Sequence, residues 1–305
     1  YGGLYYMKIL SFGSMNIDNT YSVDEFVQPG ETMTAKNLSK FCGGKGLNQS
    51  IALAAAGADV SHFGCVGEDG DILLDMLKSR GVNTDSVIRI DNITSGHAII
   101  QVDSHGQNSI LLYPGANRRM TPELIDRELE KYSCGDWLLI QNETNCLEYI
   151  MRAANKKGMK IAFNPSPMDG TVSTLPLELV DLFLVNEIEG AAVTGKEITE
   201  EITAEFEKLF PNAAVILTLG KKGSVFKSEK DMLFQPSYCG TVKDTTGAGD
   251  TYTGFFIANY IKGVSLQECM RIAAMASTVQ ISRDGAAIAI PTKQEVLDAL
   301  KNHCR

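Results

Sequence analysis

Seven consecutive residues, Asp244-Thr245-Thr246-Gly247-Ala248-Gly249-Asp250, set two acids around a turn of small side chains just ahead of an apolar run from Thr251 to Ile261. The run reads as a helix. Successive small residues let the backbone N–H groups of Gly247, Ala248 and Gly249 converge on one point, and a helix N-terminus adds positive potential there. The turn therefore reads as an anion hole. A carboxylate in the same place repels a resting phosphate, so Asp250 reads as a base that takes the proton of a hydroxyl attacking a phosphate. The chemistry indicated is phosphoryl transfer. A Gly-x-Gly-Asp turn also occurs as an ordinary loop before a helix, and the rest of the chain has to decide.

Four further clusters bear on that decision. Cys42-Gly43-Gly44-Lys45-Gly46-Leu47-Asn48-Gln49 lacks the Gly-x-x-x-x-Gly-Lys-Ser/Thr spacing of a phosphate loop. Its glycines nevertheless permit close backbone approach, and Lys45 and Asn48 offer donors to hydroxyl or phosphate oxygens. Gly13-Ser14-Met15-Asn16-Ile17-Asp18 leaves the end of the first predicted strand, where Asn16 and Asp18, two residues apart, face one side of an extended segment and can clasp vicinal hydroxyls. In Asn186-Glu187-Ile188-Glu189 the spacing puts Asn186 and Glu189 on one helical face. Thr218-Leu219-Gly220-Lys221-Lys222-Gly223 has a hydroxyl and glycines suited to lie under a nucleotide. Each is weak alone, but all fall at predicted strand termini, where an open α/β sheet binds its ligands.

The elements that must position these clusters are legible as apolar runs of strand length, Lys8–Phe12, His62–Val66, Trp137–Gln141, Lys160–Asn164, Leu182–Asn186 and Val215–Leu219. Between them, Asn48–Ala56, Ile72–Ser79, Leu147–Lys157 and Ala204–Phe210 have helical spacing. This alternation predicts an α/β fold: a mostly parallel central sheet flanked by helices on both faces. Two segments, about 14–41 and 93–113, read instead as short strands with turn signals at Pro29-Gly30 and His105-Gly106, and predict a small β-sheet lid beside the main one. Such a sheet can exclude water from a transferring phosphoryl group, serve as a dimer interface, or do both. No linker or repeat divides the chain, so residues 1–305 are expected to form a single domain with the lid inserted, and residues 1–6 to be an appended remnant.

With 305 residues and 44% hydrophobic content the chain supports a substantial core. A net charge of −9 argues against nonspecific binding to nucleic acid or an anionic membrane, and favours small-molecule work. Seven cysteines, odd in number and without a Cys-x-x-Cys pair, suit a reducing cytoplasm rather than a disulfide framework or a zinc site. No apolar run approaches the roughly 20 residues that span a bilayer.

Taken together and in this order, the motifs resemble the ribokinase family of carbohydrate kinases, from about Lys8 to the C-terminal region. The resemblance implies a ribokinase-like fold with ATP across the strand ends and a sugar between lid and sheet. It implies that Asp250 is the base and that Gly247, Ala248 and Gly249 hold the γ-phosphate. Asn186 and Glu189 match the motif that organises Mg²⁺ and phosphate, Glu189 through water. Thr218, Gly220 and Gly223 fall in the nucleotide motif with Gly249, and Asn16, Asp18, Gly44, Lys45, Asn48 and Glu143 match sugar contacts. A K⁺ site is implied at Asp244, Thr246 and the Gly285 loop, although Ala289 stands where close members of the family carry a serine. His97, in a predicted lid strand, stands where they carry an aliphatic side chain, and either lines the sugar pocket or faces outward. The expected reaction is ATP-dependent phosphorylation of a primary hydroxyl, with D-ribose as substrate and a homodimer formed through the lid. A nucleoside, another sugar or a sugar acid is the alternative substrate. A noncatalytic sugar sensor has no need of Asp250 and its turn, and a nicotinamide-dependent oxidoreductase would require a Gly-x-Gly-x-x-Gly turn that the first strand lacks.

Overall fold

The strand-length apolar runs pair edge to edge in the computed structural model, which describes residues 7–303; the expectation for residues 1–6 lies outside them. The strands are β1 Ile9–Phe12, β2 Asn16–Ser22, β3 Asn37–Gly43, β4 Val60–Val66, β5 Val87–Arg89, β6 Gly96–Val102, β7 Asn108–Tyr113, β8 Trp137–Gln141, β9 Lys160–Asn164, β10 Leu182–Asn186, β11 Ala214–Thr218, β12 Gly223–Lys227 and β13 Met232–Pro236. The helices are α1 Lys45–Ala55, α2 Asp71–Ser79, α3 Pro122–Leu129, α4 Leu147–Lys156, α5 Glu187–Thr194, α6 Thr199–Leu209, α7 Ala248–Tyr260, α8 Leu266–Gln280 and α9 Lys293–His303.

The main sheet runs β13-β12-β11-β10-β9-β8-β1-β4-β5. It is parallel from β11 through β5, and β12 and β13 add an antiparallel hairpin at one edge. Side chains alternate across it, as strand geometry requires. Ile9, Leu139, Leu184 and Ile216 enter one hydrophobic cluster, with α1, α7 and α8. Leu10, Ile140, Val185 and Leu217 enter the other, with α3, α4 and α6. Both faces are thus covered, which is why the strands read as continuous apolar runs.

The two inserted segments form a separate four-stranded sheet, β3-β2-β6-β7, as expected from their turn signals. Gly30 and Gly106 both adopt the left-handed conformation those turns need. The edge hairpin β12-β13 escapes the sequence pattern because no crossover helix announces it, and β5, which follows the crossover helix α2 to pair parallel with β4, escapes it because three residues are too few to show a pattern. The helix expected from Asn48 starts earlier, at Lys45. Its first turn contains Gly46 because a Cβ there would lie 2.5 Å from the Gly13 backbone, so the glycine serves a close approach of helix to strand end rather than a loop. No helix among the described residues is long and apolar enough to cross a membrane.

Candidate active site

Two helices bring the reactive residues together. Gly254 on α7 lies against Ala52 and Leu53 of α1, where a Cβ would come within 2.4 Å of Ala52 Cβ. That close crossing places Asp250, in the first turn of α7, beside Asn48 and Gln49 of α1. Asn48 Nδ2 donates to Asp250 Oδ2 at 3.0 Å and Gln49 Nε2 donates to Oδ1 at 2.9 Å. Gln49 is itself fixed, since its Oε1 accepts from Gln141 Nε2 at 2.7 Å and its amide reaches Asn164 Oδ1 at 3.3 Å. Asp250 is therefore an oriented, buried carboxylate at the C-terminal edge of β8 and β9, the edge at which open α/β sheets bind ligands.

Asp250 lines a cleft of ≈ 220 Å³ together with Lys45, Asn164, Asn186, Glu189, Thr218, Gly247 and Gly249. Gly247 caps α7 in the left-handed conformation, at φ 78°, which a residue with a side chain adopts only under strain. The N–H groups of Gly249 and Asp250 lie in the first turn, where a helix offers no internal acceptor. Ala248 differs: its N–H is given to Thr245 O at 3.2 Å, and it is absent from the cleft lining. Burial works against the charge of Lys45, but attraction from Asp250, Glu143 and Glu189 outweighs it and holds the lysine pKa above its ordinary value. A single cation thus faces three carboxylates.

The expectation that Asn186 and Glu189 share a helical face needs correction. Asn186 ends β10 and is the N-cap of α5, while Glu189 is the third residue of the helix. Asn186 Oδ1 accepts from Glu189 N at 2.9 Å and Glu189 Oε2 accepts from Asn186 N at 3.0 Å, a reciprocal capping box. Both residues still line the cleft, with Glu189 buried. Thr218 lines it too, whereas Gly220 and Gly223 do not. At Gly223 a Cβ would meet Gln235 O at 2.1 Å, so pairing of β12 with β13 already requires that glycine.

On the lid side, Asn16 and Asp18 share a face of β2, beside Gly96 and Ala98 of β6 and opposite Gly43 and Phe41 of β3. The glycines leave room for them: a Cβ at Gly43 would meet Asp18 Oδ2 at 2.1 Å, and one at Gly96 would meet Asn16 Oδ1 at 2.3 Å. Asn16 Oδ1 accepts from Asn117 Nδ2 at 2.8 Å, which leaves the Asn16 amide hydrogens to point elsewhere. Glu143, in the turn after β8, accepts from Lys45 N at 3.0 Å and from Ser14 Oγ, and so joins that turn to the left-handed Gly44 loop. Burial, then the negative charge of Glu143, pushes the Asp18 carboxyl up to about 6. His97 pairs with Ile17 and Tyr113 and packs on the Tyr113 ring at 5.0 Å, on the face opposite Asn16 and Asp18.

Behind the anion-hole turn, Asp244 Oδ1 accepts from Thr246 N at 2.8 Å and Oδ2 from Gly285 N at 3.0 Å. Burial favours the protonated acid, but these bonds outweigh it and hold the Asp244 pKa below the usual carboxylate range. Ser14, Gln49, Asn117, Gln141, Asn164 and Gln280 join the site only through their tertiary contacts. A signal existed for one of them, since Gln49 lies four residues after Lys45 and so shares its helical face.

Comparison with known proteins agrees with this geometry. Residues 7–293 match the family described as pfkB family carbohydrate kinase. The chain is 33% identical over 298 residues to a ribokinase of Haemophilus influenzae, covering 95% of this chain and 97% of that one. It is 29% identical over 298 residues to a deoxyribokinase of Salmonella typhi, again covering 95% and 97%. Among solved structures, an Arabidopsis thaliana ribokinase complexed with ribose and ATP superposes with a TM-score of 0.85 at 28% identity, over 97% of this chain and 99% of that one. With its two sheets, its strand-end cleft and near-complete coverage by these relatives, the chain belongs to the pfkB family of carbohydrate kinases.

Proposed function

We propose that this kinase transfers the γ-phosphoryl group of ATP to the primary hydroxyl of D-ribose, giving ribose 5-phosphate. The observation that carries the reading is the double amide grip of Asn48 and Gln49 on Asp250 in the first turn of a helix, with Lys45 in electrostatic reach of both Asp250 and Glu143, and Glu143 in reach of Asp18. A sugar held by Asp18, Asn16 and Glu143 presents its primary hydroxyl to Asp250. That carboxylate takes the hydroxyl proton as the oxygen attacks, and the N–H groups of Gly247 and Gly249 meet the charge of the transferring group. Lys45, set among three acids, offsets negative charge where sugar and phosphate meet.

The acidic cleft fits a magnesium ion carried in with ATP. Glu189 gives one oxygen to its cap and has the other for the cleft, and with Asn186 it would hold the ion through water. Mg²⁺ bound there would neutralise charge on the phosphates. Thr218 and the Gly220 turn would lie under the nucleotide. The protein would act in a reducing cytoplasm, which the free cysteines at 42, 65, 134, 146, 239 and 269 suit. It would dimerise through the lid, where β7 is exposed along its whole length and carries Ile110, Leu111, Leu112 and Tyr113.

The test is an ATP-dependent phosphorylation screen over ribose, 2-deoxyribose, hexoses, sugar acids and nucleosides. Ribose is expected to give the highest kcat/KM. A preference for 2-deoxyribose or a nucleoside would overturn the substrate and leave the carbohydrate-kinase assignment standing.

A further inference from the structure

The K⁺ expected beside Asp244 has to share its place with a side chain. Gln280, the last residue of α8, is completely buried, and its Nε2 lies 3.0 Å from Thr246 O, 3.0 Å from Gly285 O and 3.1 Å from Ala286 O. Two amide hydrogens are thus shared among three carbonyl oxygens. The opposite orientation of the amide would aim an oxygen at three oxygens, so the network itself fixes which end faces in. The other end, Oε1, is buried and has no hydrogen-bond partner, so the amide is oriented from the nitrogen side alone. Ala289 adds only a methyl group to this loop, and both carboxylate oxygens of Asp244 already accept backbone N–H groups from Thr246 and Gly285. The residues present do not fit a bare cation: an ion drawn to these carbonyls would have to displace Nε2.

We propose that the Gln280 amide takes the place of a monovalent cation, tying the 285–286 loop to the anion-hole turn so that phosphoryl transfer proceeds without potassium. The inference rests on the reading of residues 247–250 as the phosphate site. Thr246 immediately precedes Gly247, and a Cβ on Gly247 would lie 3.3 Å from Ala286 Cβ, so the loop that Gln280 grips abuts the turn directly. Asp244 holds the N–H groups of Thr246 and Gly285 while Gln280 holds their carbonyls. Each of the two peptide segments is thereby fixed by one donor and one acceptor, and the direction of the Gly247 and Gly249 N–H groups follows. Gln280 is a positioning residue, since it reaches the reacting atoms only through this turn.

The experiment compares KCl with choline chloride at matched ionic strength, reading kcat for ribose phosphorylation and, separately, the melting temperature. Wild-type kcat and melting temperature are expected to be the same in both salts. Gln280→Ala is expected to lose about 10²-fold in kcat in choline chloride, the scale for a displaced catalytic geometry, and to regain activity in KCl, which a merely structural defect would not do. Gln280→Glu sets a carboxylate among the three carbonyls and should create a cation site, seen as a KCl-specific rise in melting temperature whether or not Gln280→Ala folds. A KCl-specific gain in wild-type kcat or melting temperature, or full activity of Gln280→Ala in choline chloride, would overturn the proposal. Absence of sugar phosphorylation in every salt would count against the kinase chemistry instead, with the melting curves still deciding the role of Gln280.

Discussion

Asp250 is oriented by two neutral amides rather than by a charged partner, an arrangement that fixes where the carboxylate points without neutralising it. Asp250→Asn keeps the shape but turns an amide nitrogen toward a donor on Asn48 or Gln49 and removes the base. We expect kcat to fall by about 10²–10⁴-fold, with ATP binding by calorimetry retained; near-normal kcat would take Asp250 out of this role. Asp18 gives a second prediction. Burial first, and Glu143 second, raise its pKa from 3.8 to about 6. The fold therefore favours the protonated acid, and the stability cost of ionising it is absent below the lower value and complete above the upper one. The ionised carboxylate is the stronger, charge-assisted acceptor for a sugar hydroxyl, so kcat/KM should fall as pH drops through about 6. Asp18→Asn should remove that acid limb and lower kcat/KM by about 10²-fold. An unchanged acid limb in Asp18→Asn would assign it to another group.

At the scale of elements, the site depends on how closely α1 and α7 cross. Gly254→Ala places a methyl 2.4 Å from Ala52 Cβ and 2.7 Å from the Leu53 backbone nitrogen, so the helices must separate. A cost of about 1–3 kcal/mol is expected, with a lower melting temperature and a lower kcat as Asp250 leaves its amides. Gly249→Ala is the control with the opposite signature. Nothing lies within 4 Å of a Cβ there, so the melting temperature should hold while activity falls, because the new methyl enters the phosphate site. Equal loss of stability in the two variants would contradict this account. The capping box of α5 carries a similar lesson: Asn186 and Glu189 stabilise a helix start and line the cleft at once, so their spacing alone could not separate the two roles.

For the molecule as a whole, the lid leaves Ile110, Leu111, Leu112 and Tyr113 between 47% and 67% exposed, more apolar surface than an isolated strand usually presents to water. Sedimentation should show a dimer that Leu111→Asp converts to monomer, and a monomeric wild type would refute the lid interface. The pattern of the sheet was readable beforehand because strand alternation, helical spacing and left-handed turn residues are local properties of neighbouring residues. For the same reason the motifs at strand ends announced carbohydrate-kinase chemistry, and the roles proposed for Asp250, Asn48 and Glu189 rest on their match to the family's motifs. Only the tertiary structure decided what those residues touch. The bond from Gln49 to Asp250 spans 201 positions, that from Asn117 to Asn16 spans 101, and that from Gln280 to Thr246 spans 34. Gln49 shares a helical face with Lys45 but nothing local names its partner, while Gln280 and Asn117 carry no periodic signal at all, and the role of each exists only once packing has brought its distant partner within reach.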